Sequence, residues 1–563
     1  MRKDPSEYYG RNFRFDDESE EIEALSVSSA LGMAVMEKLG IVNLIDDNTK
    51  WDSQRVLSPG KAAKAICGTM FTHNIKSSLT NIQDFYSYAM VDTLFGSMAD
   101  HASLNDVSLG RAMDSIYDAD VETLFYSIAS RAKLLCNLRS RFCHLDASNI
   151  TVQCNIDKEF DTDAAKPRFG RPKDGHTDRL QYNFESAVDD NGIPMYFCAH
   201  DGNRTDNQMD MRALEMMNDY LSDERIVAVA DCKLVDAKTV DYLIWSNIPF
   251  VSKCPDNFAG RVKQSVIDAA MEREFTSIGK IGKRKDAPEY EICDIDAEAN
   301  GERLRFIAYR EVGVKHSLGY YREQVLKEMR TFIRSIEKKS FACEDDVRLE
   351  IERAQSKVKA PYKVEFIPEN KTVTVRRKGR GRPEKDYVPV TKEEWSIRCD
   401  MTFDEELALK LAKRRDIRVI VTSLPRSDKA EECIADGCTG ADVLRIYCGQ
   451  WRIENVFGEM KSKLGADDVF FETPERENVM LFLISLAVLI RRIMQILLRE
   501  EYGKGFGIPK DITTYRMFRM VQNTTVRFDR CAERIYLDGP SEEKNWVKIF
   551  SQILDIDPSR LIG

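Results

Sequence analysis

Apolar residues recur at every third or fourth position through the first part of the chain. This spacing is typical of helices that bury one face, and it is clear in SALGMAVMEKLGIVNLI and VETLFYSIASRAKLLCNL. Between these two segments, SLNDVSLGRAMDSIYD begins as a capped helix would. The pattern predicts a separate helical domain over residues 23–138. The preceding residues 1–22 are acidic and lack periodicity, so we expect a flexible tail there.

After residue 139 the pattern changes to short buried strands. RFCHLDASNITVQ, RIVAVAD and IPFVSKC read as single strands, and QYNFESAVDDNGIPMYFCAH reads as two strands joined by the turn DDNG. Helical patterns lie at 205–222 and 236–246. A hairpin followed by alternating strands and helices predicts a mixed α/β sheet over residues 139–254.

Residues 255–415 depart from that alternation. Strand patterns occur in EYEICDID, LRFIAYRE and KVEFIPENKTVTVRR, around a long charged helical segment at 320–357. The buried-strand pattern resumes in IRVIVTSLP, so we interpret 255–415 as a β-rich insertion and 416–478 as the second part of the α/β domain.

The last part of the chain, residues 479–563, is predicted to be helical and a possible dimerisation region. Residues 479–490 are nearly all apolar, but Arg491 and Arg492 end the run after about twelve residues, short of the roughly twenty needed to span a bilayer. We therefore expect a buried helix and no membrane partner. The predicted fold class is multidomain α/β, with helical N-terminal and C-terminal regions.

Composition narrows the functional classes. The chain is 43% hydrophobic and 31% charged, which is typical of a soluble globular protein. Its fourteen cysteines form no CxxC pair, so neither a zinc site nor a disulfide framework is expected, and a reducing cytoplasm fits. No export signal is visible at the N-terminus. The net charge of −10 argues against general attraction to nucleic acid, although local basic patches can still bind it.

A polar stripe follows one predicted helix, YCGQWRIENVFGEMKSKL. On a regular α-helix, the spacings of three, four and seven place four side chains within an arc of about 60°. They are Tyr447, Gln450, Glu454 and Lys461. A solvated helix face would give such a stripe too, but tyrosine and glutamine are unusual residues for one.

Three carboxylates lie on ordered elements beside apolar neighbours. Asp146 falls within a strand, Asp231 ends one, and Glu454 lies on the predicted helix. Each alone has a structural explanation, as a turn, cap or surface residue. Together, two strand carboxylates and one from a helix packed across them can converge at a sheet edge. Oxygen ligands of this kind suit Mg²⁺ or Mn²⁺.

The segments around these carboxylates resemble a known family. HLDAS, VAVAD and YCGQWRIENVFGEMKSKL are similar to the motifs of insertion-sequence transposases with an Asp-Asp-Glu triad, in the group with a Tyr-Arg-Glu-Lys (YREK) signature. That signature is spaced Y-x2-R-x3-E-x6-K. LNDVSLGRAMDSIYD, DDNGIPMYFCAHDGNRTD and ETPERENVMLFLISLAVLI are similar as well, so the resemblance covers residues 25 to 500.

The resemblance implies an RNase H-like catalytic core that holds two Mg²⁺ or Mn²⁺ ions. Asp146 would bridge both ions, and Asp231 and Glu454 would each complete the coordination of one. The implied enzyme is a prokaryotic, cytoplasmic DDE transposase, associated with the nucleoid when it acts. It would bind the terminal inverted repeats through its N-terminal domain, cleave the element ends and join the 3′-hydroxyl to target DNA. Its partners would be double-stranded DNA and a second copy of the chain.

Two alternatives stay open at this stage. An RNase H-like nuclease that cleaves without joining strands would use the same metal site. A catalytically silent DNA-binding protein derived from a transposase would not need three carboxylates, and all three are present.

One position departs from the signature. Gln450 stands where the signature has arginine, so a neutral donor replaces a cationic phosphate contact. Arg452 is a poor substitute, because it points about 160° away from Gln450 on a regular helix. Tyr447 and Lys461 match the signature and are expected to face DNA. Trp451 could be structural or could stack on a base.

Basic residues elsewhere are further candidates for DNA contact. KTVTVRRKGRGRPEKD contains Arg380 and Arg382, which could enter an A·T-rich minor groove or could belong to a solvated turn. Lys173 and Arg179 lie in RFGRPKDGHTDR, after the first catalytic strand. Lys233, just beyond Asp231, could reach a phosphate or could be an ordinary exposed loop residue.

Overall fold

The computed structural model describes most of the chain and divides it into two compact units. The first unit contains residues up to Lys253 together with those from Thr422 onward, and the second is Cys254–Val421. The described residues are 22–72, 80–152, 162–170, 178–204, 211–282, 285–312, 316–374, 391–429, 431–468, 471, 473–529 and 534–556. The predicted tail therefore lies outside the described residues, apart from Ile22.

The first unit begins with one strand and a series of helices. They are β1 (Ile22–Ser26), α1 (Val27–Lys38), α2 (Ile41–Asn48), α3 (Pro59–Met70), α4 (Thr80–Phe85), α5 (Val91–Phe95), α6 (Asp106–Tyr117) and α7 (Val121–Leu135). The side chain of Asn105 accepts a hydrogen bond from the Ser108 amide at 2.8 Å, so the predicted capped start of α6 is confirmed.

A mixed sheet follows in the same unit. Its elements are β2 (Phe142–Val152), β3 (Arg168–Phe169), β4 (Leu180–Asp189), β5 (Pro194–Asp201), α8 (Met211–Met216), α9 (Asn218–Asp223), β6 (Val227–Ala230), α10 (Ala237–Trp245) and β7 (Phe250–Lys253). The strand order is β3-β4-β2-β6-β7, and β5 pairs with β4. Strands β2, β3, β4 and β5 pair antiparallel, whereas β6 and β7 continue the sheet in parallel. The predicted mixed sheet and hairpin are confirmed.

The second unit has two sheets. Its elements are α11 (Val262–Met271), β8 (Thr276–Lys280), β9 (Glu289–Ala299), β10 (Glu302–Glu311), α12 (His316–Tyr320), α13 (Leu326–Glu337), α14 (Glu344–Gln355), β11 (Tyr362–Thr374), β12 (Thr391–Phe403), α15 (Glu405–Asp416) and β13 (Arg418–Thr422). One sheet has the order β13-β10-β9-β8, and β11 and β12 form a hairpin.

The predicted continuous helix over 320–357 is wrong. A π-helical turn at Tyr321–Val325 joins α12 to α13, and the chain is not helical between Glu337 and Glu344. The break occurs because Phe341 exchanges backbone hydrogen bonds of 2.8 and 3.0 Å with Trp395 of β12. A pairing between residues so far apart in sequence cannot be read from helical periodicity.

The chain completes the first unit after residue 422. The elements are α16 (Gly440–Tyr447), α17 (Trp451–Gly458), α18 (Pro474–Glu500), α19 (Thr514–Arg519), β14 (Thr525–Asp529), β15 (Arg534–Asp538) and α20 (Ser541–Ile553). β1 pairs with β14, and α18 packs against α3, α6, α7 and β5. The N-terminal helices therefore belong to the same compact unit as the sheet.

Helix α18 is the longest apolar element of the fold. It runs for 27 residues and buries all of residues 479–490, so the predicted buried helix is confirmed, and it continues well beyond Arg491 and Arg492. The helix continues because Glu459 pairs with both arginines, at 2.8 and 2.7 Å. By length and composition α18 could cross a membrane, and 83% of its most apolar window is buried inside the protein.

Candidate active site

Two of the predicted carboxylates lie side by side on the central strands. β2 and β6 are parallel, and their last paired residues are Leu145 and Ala230. The next residue on each strand is an aspartate, Asp146 on β2 and Asp231 after β6. Neighbouring strands are about 4.8 Å apart, so the two side chains leave the sheet next to each other. Side-chain alternation then places them on the same face.

The surroundings hold Asp231 in place. The hydroxyl of buried Ser252 donates to the Asp231 carbonyl at 2.8 Å. Lys253 Nζ lies 3.7 Å from Asp231 Oδ1, and these side chains are 42% and 37% exposed. An ion pair this exposed contributes at most about 1 kcal/mol. Oδ1 itself is buried and has no hydrogen-bond donor among the described residues, so this oxygen is available to a ligand.

Helix α17 covers the face of the sheet that carries Asp146. Ser148, two residues after Asp146 and on the same face, pairs with Phe184 of β4. The Phe184 ring lies 6.3 Å from the ring of Phe457 on α17. The buried side of α17 therefore rests next to Asp146, as expected if Glu454 belongs to the same site. Glu454 itself is exposed and makes no side-chain hydrogen bond or ion pair with the described residues.

The helix that carries the polar stripe is not uniform. α16 ends at Tyr447, the residues Cys448–Gln450 form a 3-10 turn, and Glu459–Lys463 form a π-helical turn after α17. The prediction of one regular helix over 447–464 is therefore wrong. A 3-10 turn is tighter and a π turn is wider than an α turn, so Lys461 is rotated away from the position that regular spacing gives it.

Three residues at the start of α17 differ in their environment. Trp451 is 55% exposed and so lies outside the hydrophobic core. Gln450 is half-buried. Arg452 donates from Nε to the Asp190 carbonyl at 2.8 Å and from Nη1 to the Gly449 carbonyl at 3.2 Å. Burial lowers the pKa of Arg452. The first bond ties Arg452 to the β4–β5 turn, and together the two bonds engage two of its three guanidinium nitrogens within the protein.

The other predicted DNA contacts are less closely grouped. Arg179 is exposed beside the start of β4, and Lys233 lies in the 3-10 turn Cys232–Leu234 that follows Asp231. Lys173, Arg380 and Arg382 lie outside the described residues.

The structure adds a residue that the sequence did not single out. His144 lies two residues before Asp146 and is fully buried, and neither ring nitrogen has a hydrogen-bond partner among the described residues. Burial, aided by the nearby charge of Arg452, lowers its pKa to about 4, so the ring is neutral at pH 7. The ring lies close to Gly449, where an added Cβ would be 3.2 Å from His144 Cε1. The only sequence signal was a histidine at an apolar strand position.

A second addition is Glu459. This carboxylate is 5% exposed and joins the π turn after α17 to α18 through Arg491 and Arg492. The two arginines at the end of an apolar run were a signal that a buried partner was needed.

The donor set can be tested against a divalent metal. The three carboxylates supply the oxygen ligands that Mg²⁺ and Mn²⁺ prefer, and Asp231 Oδ1 and Glu454 have no competing hydrogen bonds. Within the described residues, however, no three acidic, histidine or cysteine side chains are close enough to hold one ion. The residues fit a divalent cation in chemistry, and the strand pairing places Asp146 beside Asp231, but the three side chains do not form a closed metal site.

Family comparisons bear on this arrangement. Residues 317–490 match the family model described as a transposase DDE domain. This match supports a DDE transposase. The matched segment contains Glu454, α16, α17 and part of α18, whereas Asp146 and Asp231 lie before it. Residues 21–130 match a domain of unknown function, DUF4277. No curated protein matches the chain.

Proposed function

We propose that this chain is a DDE transposase of the YREK group with an RNase H-like catalytic core. It would cleave DNA at the ends of an insertion sequence and join the freed 3′-hydroxyl to target DNA. The observation that carries the proposal is the placement of Asp146 and Asp231 side by side, each directly after the last paired residue of two parallel strands, under the helix that bears Glu454. The transposase DDE domain match supports it independently.

Asp146, Asp231 and Glu454 are the residues that would hold two divalent ions. Such ions lower the pKa of an attacking hydroxyl and stabilise the leaving oxygen at phosphorus. The chain's own contribution is to orient the carboxylates. The Ala147 amide donates to Asp146 Oδ1 at 2.8 Å, and Ser252 fixes the backbone of Asp231. Glu454 is on an element seated by Phe457, so its backbone position is determined by packing.

DNA is the proposed partner. Tyr447, Gln450, Trp451 and Lys461 would contact the strand at the active site, with Gln450 giving a neutral hydrogen bond in place of a cationic one. Lys173, Arg179, Lys233, Arg380 and Arg382 would contact the backbone or minor groove. The helical region 23–138 would bind the terminal repeats. Two copies of the chain would act on paired ends, in the cytoplasm, with contacts from 479–563.

The test uses the full chain, Mg²⁺ and a duplex that carries the inverted repeats flanking its gene. The variants Asp146→Asn, Asp231→Asn and Glu454→Gln keep side-chain size and remove one charge each. Glu215→Gln, an exposed glutamate on α8, is the matched control. We expect each site variant to reduce cleavage by roughly a hundredfold or more and the control to leave it unchanged.

Each of the other results points to a different conclusion. Cleavage that persists in all three site variants would overturn the triad. Cleavage without joining to a target plasmid would favour the nuclease. Specific binding to the repeats without cleavage by the wild-type protein would favour the silent DNA-binding protein.

A further inference from the structure

A cavity of about 430 Å³ opens beside Trp451 in the first unit. Its walls come from the β4–β5 turn at Asp190–Gly192, from Trp451, Arg452 and Asn455 of α17, and from the C-terminal half of α18, where Arg492 and Arg499 lie. The volume is within the range of sites for small organic ligands and is large enough for a nucleotide.

The charges around this cavity favour an anion. Three arginines line it, against the two acidic residues Asp190 and Glu500. The charge of Asp190 is shared with Arg141, because its carboxylate accepts from the Arg141 amide at 3.2 Å and lies 3.6 Å from the Arg141 guanidinium. Glu500 is at the exposed end of α18. The cationic groups are therefore only partly compensated.

The ion pair between Arg492 and Glu459 leaves one positive charge and one N–H donor of this cluster without a partner among the described residues. Glu459 is a single carboxylate that serves both Arg491 and Arg492, so one positive charge stays without a counter-ion in that cluster. Arg492 Nε is buried and has no acceptor among the described residues. It lies beneath Gly192, where an added Cβ would be 4.0 Å from Nε.

The charge of Arg492 also disfavours the charge of Arg499. Burial lowers the pKa of Arg499, and the nearby charge of Arg492 lowers it further. An anion between them would offset both effects, because opposite charges in a partly buried site attract more strongly than in water.

We propose that this cavity binds a phosphate group carried by a nucleotide. Arg499 Nε already donates to the Ile512 carbonyl at 2.9 Å, so the terminal nitrogens of Arg499 and the guanidinium of Arg492 would donate to the phosphate oxygens. Trp451, exposed at the rim, and Asn455 supply an aromatic surface and an amide for the rest of the nucleotide. Arg452 lies 5.0 Å from the Trp451 ring centroid and supports one side of it.

The location connects the cavity to the candidate active site. Asn455, which lines the cavity, follows Glu454 directly, so the cavity lies beside the helix that bears that carboxylate. This inference deepens the proposed function. Binding of a DNA strand in the cavity rests on that proposed function, whereas binding of a free nucleotide does not. Trp451, which also lines the cavity, follows Gln450 directly, so Arg492 and Arg499 would supply cationic phosphate contacts near that neutral position.

The experiment measures phosphate binding to the full chain without Mg²⁺ by calorimetry. The probes are inorganic phosphate, a deoxynucleoside monophosphate and a duplex with the terminal repeats. Arg499→Gln removes one cation, and Asn455→Asp adds a negative charge at an exposed position whose side chain makes no hydrogen bond with the described residues. Arg445→Gln is the matched control, because this exposed arginine on α16 pairs with Asp442 outside the cavity and its loss changes net charge equally.

We expect one saturable site for the monophosphate, with affinity about tenfold weaker in Arg499→Gln and Asn455→Asp and unchanged in Arg445→Gln. Thermal denaturation checks that each variant is folded. If the duplex displaces the monophosphate, the phosphate that binds in the cavity belongs to a DNA strand. If the duplex does not displace it, the ligand is a free nucleotide. No saturable binding, or equal binding by all variants, would overturn the site.

The Asp146→Asn variant separates the two proposals. Retained phosphate binding together with lost cleavage supports both. Cleavage that is unaffected by Asp146→Asn would count against the catalytic proposal alone, because the calorimetric readout does not depend on catalysis.

Discussion

The buried carboxylate of Glu459 gives the sharpest test of how the candidate site is supported. One oxygen accepts a hydrogen bond from Arg491 Nε at 2.8 Å, and the other forms an ion pair with Arg492 Nη2 at 2.7 Å. The side chains of Glu459 and Arg491 are 5% and 4% exposed. In Glu459→Gln the geometry is nearly unchanged, but two guanidinium groups lose their counter-charge inside the protein.

The expected cost follows from that burial. Breaking a buried ion pair from one side costs about 3–5 kcal/mol, because the remaining charge is desolvated without a partner. Arg491 keeps a bond to the Met70 carbonyl at 3.0 Å and a contact with the Phe518 ring, whose centroid is 5.2 Å away. Glutamine can still accept one hydrogen bond. We therefore expect the lower end, about 3 kcal/mol.

Hydrogen exchange followed by mass spectrometry measures this loss of stability in α18 itself. Peptides that cover α18 report the free energy of opening of that helix, which is defined even when a chain of several units does not unfold in one step. Glu501→Gln is the control, because Glu501 forms an exposed pair with Lys504 and should change the value by less than about 0.5 kcal/mol. A change below about 1 kcal/mol in Glu459→Gln would refute the reasoning.

The same residue predicts a pH dependence. Burial alone would raise the pKa of Glu459, but the charges of Arg492 and Arg491 outweigh it and hold the pKa below its ordinary value of 4.5. The unfolded chain then takes up the proton more readily than the folded one. This contribution to stability is present above pH 4.5 and is lost as pH falls below it, so Glu459→Gln should lose less stability in acid than the wild type.

Three further predictions concern the neighbouring core and are checked by melting temperature. Burial raises the pKa of Glu477 from 4.5 to about 7, and a hydrogen bond from the Tyr182 hydroxyl opposes this rise. The stability of the protein should therefore fall as pH rises from 4.5 to 7, and Glu477→Gln should flatten this dependence. Burial and the charge of Arg452 lower the pKa of His144 from 6.5 to about 4. The stability of the protein should therefore fall as pH falls from 6.5 to 4, and the fall should be smaller in His144→Leu. Gly449→Ala should cost about 1–3 kcal/mol, since its Cβ would lie 2.5 Å from Arg452 Nη1; an unchanged melting temperature would contradict the packing argument.

The strands of the central sheet could be predicted because their signal is local. β2, β4, β5, β6 and β7 all show buried runs between turn residues, and the DDNG turn is where the hairpin reverses, with Gly192 at φ +83°. The strands β1, β14 and β15 were missed. β1 pairs with β14 from the opposite end of the chain, so no local window shows that pairing. β14 and β15 are close in sequence and pair with each other inside the region predicted to be helical, so the helical prediction does not hold for these two segments.

The sequence by itself determined which residues could do chemistry and which elements carry them. Asp146 on a strand, Asp231 at a strand end and Glu454 on a helix follow from periodicity and residue type, which act over a few neighbouring positions. Only the tertiary structure decided that Asp146 and Asp231 are register neighbours, that the helix of Glu454 changes pitch on both sides, and that Glu459 joins it to α18. These features depend on pairing and packing between segments distant in sequence, where the burial of charge and the register of strands outweigh local preference.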